Sequence, residues 1–180
     1  MRLPPVLSAD DLPVPELAAA RLDGELFAVG DCFSPVDEIE QPRHRAAALH
    51  AGQSERLVAE QLSAAWVWGA LDSPPVHLQF CVATGARVSH SPARWMTLRE
   101  VVIEPHEIVD FGGPLVTTPL RTVVDLVRFS ERFGAREVEV VRRLAAPLDD
   151  AARLIAGRRN LPNKRRALAR LAQCARRSGG

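Results

Sequence analysis

Hydrophobic and polar positions repeat most regularly between Val116 and Phe129, V-T-T-P-L-R-T-V-V-D-L-V-R-F. Leu120, Val123, Val124 and Val127 recur at the spacing of one helix face, so the stretch predicts an amphipathic helix whose apolar side another part of the chain must cover. Pro119 has no N–H to give and holds its predecessor extended. Thr118 therefore suits the N-cap and Pro119 the first helical position, with Leu115 to Thr117 as a strand leading in. A Thr cap stabilises such a start by about 1 kcal/mol. Arg121 and Asp125 lie one turn apart and read as a structural pair, since nothing nearby in sequence completes a catalytic set.

Ahead of this element, Ser8 followed by Asp10 and Asp11 predicts a short helix. Pro15 opens a second through Leu22, ended by Gly24, and Glu25 to Ser34 reads as two strands around Gly30-Asp31. Helix, helix and hairpin are the outline of a minimal winged helix-turn-helix. Pro42 to Leu49 and Glu55 to Leu62 read as helical, and Ser63 as the N-cap of S-A-A-W-V-W-G-A-L. Trp66 and Trp68 are two apart and point to different sides, which makes them core residues with the option of a partner-binding anchor.

After D-S-P-P at 72–75, strands are predicted at Val76 to Val82, Arg87 to His90, Arg99 to Ile103, Ile108 to Phe111 and Leu115 to Thr117. Gly134 ends the central helix in this reading, and Glu137 to Leu144 forms the next, with Val138 and Val141 inward. Asp149 caps Asp150 to Ala156, and Pro162 starts a last helix striped by Ala167, Leu168, Leu171 and Ala175. The fold class is α+β, a small mixed or antiparallel sheet flanked by helices. Three segments follow: 1–40 resembling a degenerate winged helix-turn-helix, an α/β core over 41–148, and a helical C-terminal segment over 149–180.

Composition excludes several classes. With 47% hydrophobic residues the chain is too apolar for a disordered protein, and no apolar run is long enough for a membrane span. The N-terminus has no signal pattern, so a cytoplasmic location is expected. Cys32, Cys81 and Cys174 are odd in number and widely spaced, which predicts free buried thiols. His44 and His50 are six apart, and His77, His90 and His106 fall in separate segments, so no metal or cofactor site is indicated. No Gly-rich phosphate loop, nucleophile–base pair or carboxylate cluster points to an enzyme.

Charge is unevenly distributed. Residues 151–180 hold nine of the 23 Lys and Arg and none of the 22 Asp and Glu, which leaves 14 basic against 22 acidic residues before them. Arg158, Arg159, Lys164, Arg165, Arg166 and Arg170 gather around the start of the last helix, where positive charge opposes the helix dipole unless an anion binds. These six are the candidate DNA contacts. Residues 1–40 carry nine acids against Arg2 and Arg21, a sign that repels phosphates and fits a structural cap or homodimerisation element better.

S-A-A-W-V-W-G-A-L at 63–71, followed by G-G-P-L-V-T-T-P-L-R-T-V-V-D-L at 112–126, resembles the AbiEi family of antitoxins and transcriptional regulators from type IV toxin–antitoxin systems. L-D-G-E-L-F-A-V-G-D-C-F-S-P at 22–35 is similar to that family's winged-helix hairpin, and the basic stretch after Gly157 to the helix found behind its core. The resemblance implies a non-enzymatic antitoxin that binds operator DNA and counters a nucleotidyltransferase-like toxin. Because the hairpin is acidic, DNA contact passes to the C-terminal cluster. The alternative is an antitoxin that binds protein only, its basic tail gripping an acidic toxin surface.

Overall fold

A computed structural model describes residues 4–86 and 94–176. The helix expected at Ser8 is a turn: the Ser8 hydroxyl accepts the Asp10 N–H at 3.2 Å, the Asp11 carboxylate accepts the Ser8 N–H at 2.8 Å, and Pro13 follows. Short polar side chains that bond their own backbone favour turns over helix interiors. Helix α1 (Val14–Leu22) leads into a hairpin of β1 (Leu26–Val29) and β2 (Cys32–Pro35), with Gly30 at φ 60 supplying the left-handed turn. Leu7, Leu17 and Leu26 close a small apolar cluster beneath it.

Helix α2 (Pro42–His50) forms as predicted. The helix expected over 55–62 does not: Val58–Ala59 is a strand, β3, at the centre of the main sheet. Both of its residues are buried, so it carries no polar alternation to betray it. Helix α3 (Gln61–Val67) starts before Ser63, whose hydroxyl instead accepts the Gln79 N–H at 2.8 Å. Then come β4 (Leu78–Ala83), β5 (Met96–Val101), a 3-10 turn at Pro105–Glu107, β6 (Ile108–Asp110) and β7 (Leu115–Thr117). The strand expected at Arg87 to His90 lies outside the described residues. Helices α4 (Pro119–Phe129), α5 (Ala135–Arg143), α6 (Leu148–Gly157) and α7 (Lys164–Arg176) complete the chain.

The five-stranded sheet is mixed, in the order β5-β4-β3-β7-β6. The pairs β4–β5 and β3–β7 are parallel, while β3–β4 and β6–β7 are antiparallel. The fold is thus α+β, with helices flanking a small sheet. Phe80, Ala59 and Val116 from the sheet pack against Ala46, Leu49 and Trp66. On the other side, α4 lays Val123, Val124 and Val127 against Val138, Val141, Ile155, Ala167 and Leu171 of α5, α6 and α7. Thr118 caps α4 as expected, accepting the Arg121 N–H at 3.3 Å. Gly134 does not end α4, which stops at Phe129; it stands at the N-cap of α5. In α7 Cys174 is buried and Ala175 exposed, so the stripe runs one residue off the predicted one. Among the described residues no helix is long and apolar enough to cross a membrane.

Candidate functional site

Helix α4 is buried almost all round, and three of its buried residues are charged: Arg121, Asp125 and Arg128. Burying a charge is costly unless partners surround it, and here the partners come from the sheet and its loops. Arg121 donates through Nε to Asp125 Oδ2 at 2.8 Å and through Nη1 to Glu107 Oε2 at 2.5 Å. From β5, Arg99 grips the fully buried Glu60 with two parallel bonds of 2.6 and 2.5 Å. Its Nη2 also lies 3.8 Å from Asp125 Oδ1, and Arg128 Nη1 lies 3.6 Å from the same oxygen. Arg99 and Arg128 both sit over the Phe129 ring, 4.0 and 4.4 Å from its centroid. Four cations and three anions therefore run from the sheet edge to Glu107, where Arg158 joins at 3.1 Å.

Burial pushes the Glu60 carboxyl above its ordinary range, against the pull of Arg99. Burial acts downward on Arg99 and Arg121, but Glu60 beside the first and Asp125 beside the second more than offset it, so both guanidinium groups end above their ordinary value. For Arg128 burial wins and the shift is downward. The Arg121–Asp125 pair was legible from the sequence; Glu60, Arg99, Glu107 and Arg158 reach the network from distant segments that no spacing rule connects.

The six candidate DNA contacts divide into two groups. Arg158 turns inward to Glu107. Lys164 Nζ donates to the carbonyls of Ala156 and Arg158 at 2.6 and 3.2 Å, closing the end of α6. Arg166 Nη2 donates to Arg128 O at 2.8 Å, and Arg170 Nη1 to Val127 O at 3.0 Å, so both bind the last turn of α4. Arg170 also covers the Phe133 ring at 4.7 Å. Cations at a helix C-terminus meet the negative end of its dipole, which answers part of the charge that the sequence alone left facing a helix start. Arg159 and Arg165 are different: both are exposed and neither has a hydrogen bond or ion pair among the described residues.

Trp66 and Trp68 are both packed into the core. Trp66 is 3% exposed, its ring against Gly30. Trp68 donates its indole N–H to Thr117 O at 2.8 Å and tilts against Phe111 at 5.7 Å. The three cysteines are buried and none is in a disulfide among the described residues, and burial pushes all three thiols upward. Among the described residues no three His, Cys, Asp or Glu are placed to hold a metal ion.

No model of a known protein family matches the sequence, and no curated protein matches it. Among solved structures, the RV2827C protein from Mycobacterium tuberculosis is similar, with a TM-score of 0.51 at 17% identity over 98% of this chain and 73% of that one. At that identity the likeness concerns the fold.

Proposed function

We propose that this chain is a non-enzymatic antitoxin and DNA-binding regulator, acting in the cytoplasm against a nucleotidyltransferase-like toxin, as the AbiEi resemblance implies. The observation that carries the reading is the division of labour on the C-terminal arm. Arg158, Lys164, Arg166 and Arg170 tie the arm to α4, α6 and Glu107, while Arg159 and Arg165 stand free on its surface. A clamped arm presents its cations in one arrangement, so little ordering entropy is lost when phosphates bind. The described part of the arm, residues 151–176, contains no carboxylate side chain to compete.

A second reading, an antitoxin that grips only an acidic protein surface, draws support from the same geometry: the internal bonds leave two fully uncommitted cations out of six, a small footprint for a duplex. Fluorescence anisotropy with a labelled duplex at low salt separates the two. The first reading expects binding, weakened for every DNA sequence alike by Arg159→Ala with Arg165→Ala, because phosphate contacts carry no sequence information. Absence of duplex binding at low salt rejects it in favour of the second.

A further inference from the structure

His77 just before β4, Gln79 of β4, and Thr97 and Arg99 of β5 face away from the apolar core that Leu78, Phe80, Met96 and Leu98 enter. The result is a polar sheet surface at the β5 edge. Over it lies an open cleft of about 580 Å³ walled by Gln61 and Leu62 at the start of α3, by Phe129 to Arg132 after α4, and by Glu137 of α5. That volume is within the usual range for a small-molecule site, about 300–1,000 Å³.

The floor of this cleft carries donors whose direction is fixed from behind. Gln79 Oε1 accepts the Leu62 N–H at 2.8 Å, which leaves its amide NH2 without a partner among the described residues. Arg99 spends Nε and Nη2 on Glu60 and keeps Nη1 without a partner among the described residues. Asp125 Oδ1 is the single buried side-chain nitrogen or oxygen without a hydrogen bond among the described residues, so these two donors open onto solvent. In the β4–β5 register Gln79 faces Thr97 and Cys81 faces Arg99, which makes Gln79 and Arg99 diagonal neighbours on one face. Thr97 Oγ1 and His77 Nε2 bond each other at 2.8 Å along the same row.

Gln61 adds a second sign. It is 5% exposed, yet its backbone is left-handed at φ 48, a conformation that costs a non-glycine residue about 1 kcal/mol or more and gathers at ligand sites. That bend aims Glu60 inward at Arg99 and brings the Gln61 amide to 3.2 Å from Glu60 Oε1. The rim also carries Arg132, Glu131 and Glu137, and the Glu137 carboxylate already accepts the Gly134 N–H at 2.8 Å.

We infer that this cleft binds a small ligand presenting an anionic oxygen, a carboxylate or a phosphate, received by the Gln79 amide and Arg99 Nη1. Preorganised donors backed by buried partners favour such an oxygen over water because no reorganisation accompanies its arrival. Among the described residues none of the C-terminal arm lines this cleft.

The test is an NMR titration of the intact chain with sodium phosphate and, separately, sodium acetate, ionic strength held constant with chloride. Side-chain signals of Gln79 NH2, Arg99 Nε–H and Arg165 Nε–H are followed. Saturable shifts at Gln79 and Arg99 are expected with at least one of the two anions, and which anion gives them assigns the ligand class. Gln79→Glu keeps the oxygen that holds Leu62 but replaces the donor by an acceptor. It should weaken the binding about tenfold or more while the thermal midpoint without ligand stays close to the parent's. Shifts confined to Arg165, no shift at Gln79 and Arg99 with either anion, or equal binding by Gln79→Glu would each overturn the assignment.

Discussion

Replacing Arg121 by Met probes the buried ion network where its links are densest. The substitution keeps an unbranched side chain of similar reach, so the cavity term is small, but it strips Asp125 Oδ2 of its 2.8 Å partner and Glu107 Oε2 of its 2.5 Å partner. Asp125 is wholly buried and its other oxygen already lacks a hydrogen bond, so water cannot replace the lost donor without opening the fold. Removing one member of a buried pair costs about 3–5 kcal/mol. Single-domain stabilities run at about 5–15 kcal/mol, so this is a large fraction of the total. For a chain of this size each kcal/mol moves the thermal midpoint by about 2–4 °C, which gives a fall of about 6–20 °C. Urea unfolding with an unchanged slope measures the loss directly. The double variant Arg121→Met with Asp125→Leu should lose less than the sum of the single losses, by about 1 kcal/mol or more, because the orphaned carboxylate is gone. A loss below about 1 kcal/mol for Arg121→Met, as for an exposed pair, or strict additivity in the double variant, would refute the claim that the network is a buried, mutually dependent unit.

Gly30→Ala should destabilise the hairpin by about 1–2 kcal/mol, since φ is 60 there and an added Cβ meets Trp66 Cη2 at 3.2 Å; urea unfolding that matches the parent contradicts this. His50 is buried with ring nitrogens at 2.9 and 3.1 Å from the carbonyls of Ala46 and Leu57, and burial holds its pKa below the ordinary 6.5 despite those acceptors. A depressed folded-state value gives stability that is present above pH 6.5 and lost as pH falls toward that lower value. Unfolding midpoints should therefore drop between about pH 7 and pH 5, and the difference between wild type and His50→Gln isolates the contribution of His50 from the opposite one of Glu60. Parallel profiles for the two proteins rule it out.

What the sequence disclosed depended on whether a signal was local. The Thr118 cap, Pro119, the α4 stripe and the Gly30 turn all follow from neighbours in the chain, and all four are present. β3 was hidden because Val58 and Ala59 are buried on both faces and too few to show a period. The Ser8 helix failed because side-chain bonds to the local backbone competed with helical ones. The candidate site was legible as charge but not as geometry: composition placed the six cations on one arm, while the carbonyl ends of α4 and α6 that occupy Lys164, Arg166 and Arg170 come together only on folding. The Gln79–Arg99 cleft left no trace, since its residues lie on two strands joined by parallel pairing, at the start of α3 and in the stretch from the end of α4 into α5, the last two 30 residues or more from Arg99.

The salt dependence of duplex affinity tests the proposed role of the C-terminal arm most directly. Each phosphate neutralised contributes about −0.9 to the slope of log affinity against log salt. If Arg159 and Arg165 each contact a phosphate, the double alanine variant should show a slope shallower than wild type by about 1.8, while Arg21→Ala, at an exposed position of α1, leaves it unchanged. Identical slopes for wild type and the double variant would contradict the assignment of DNA contact to this arm.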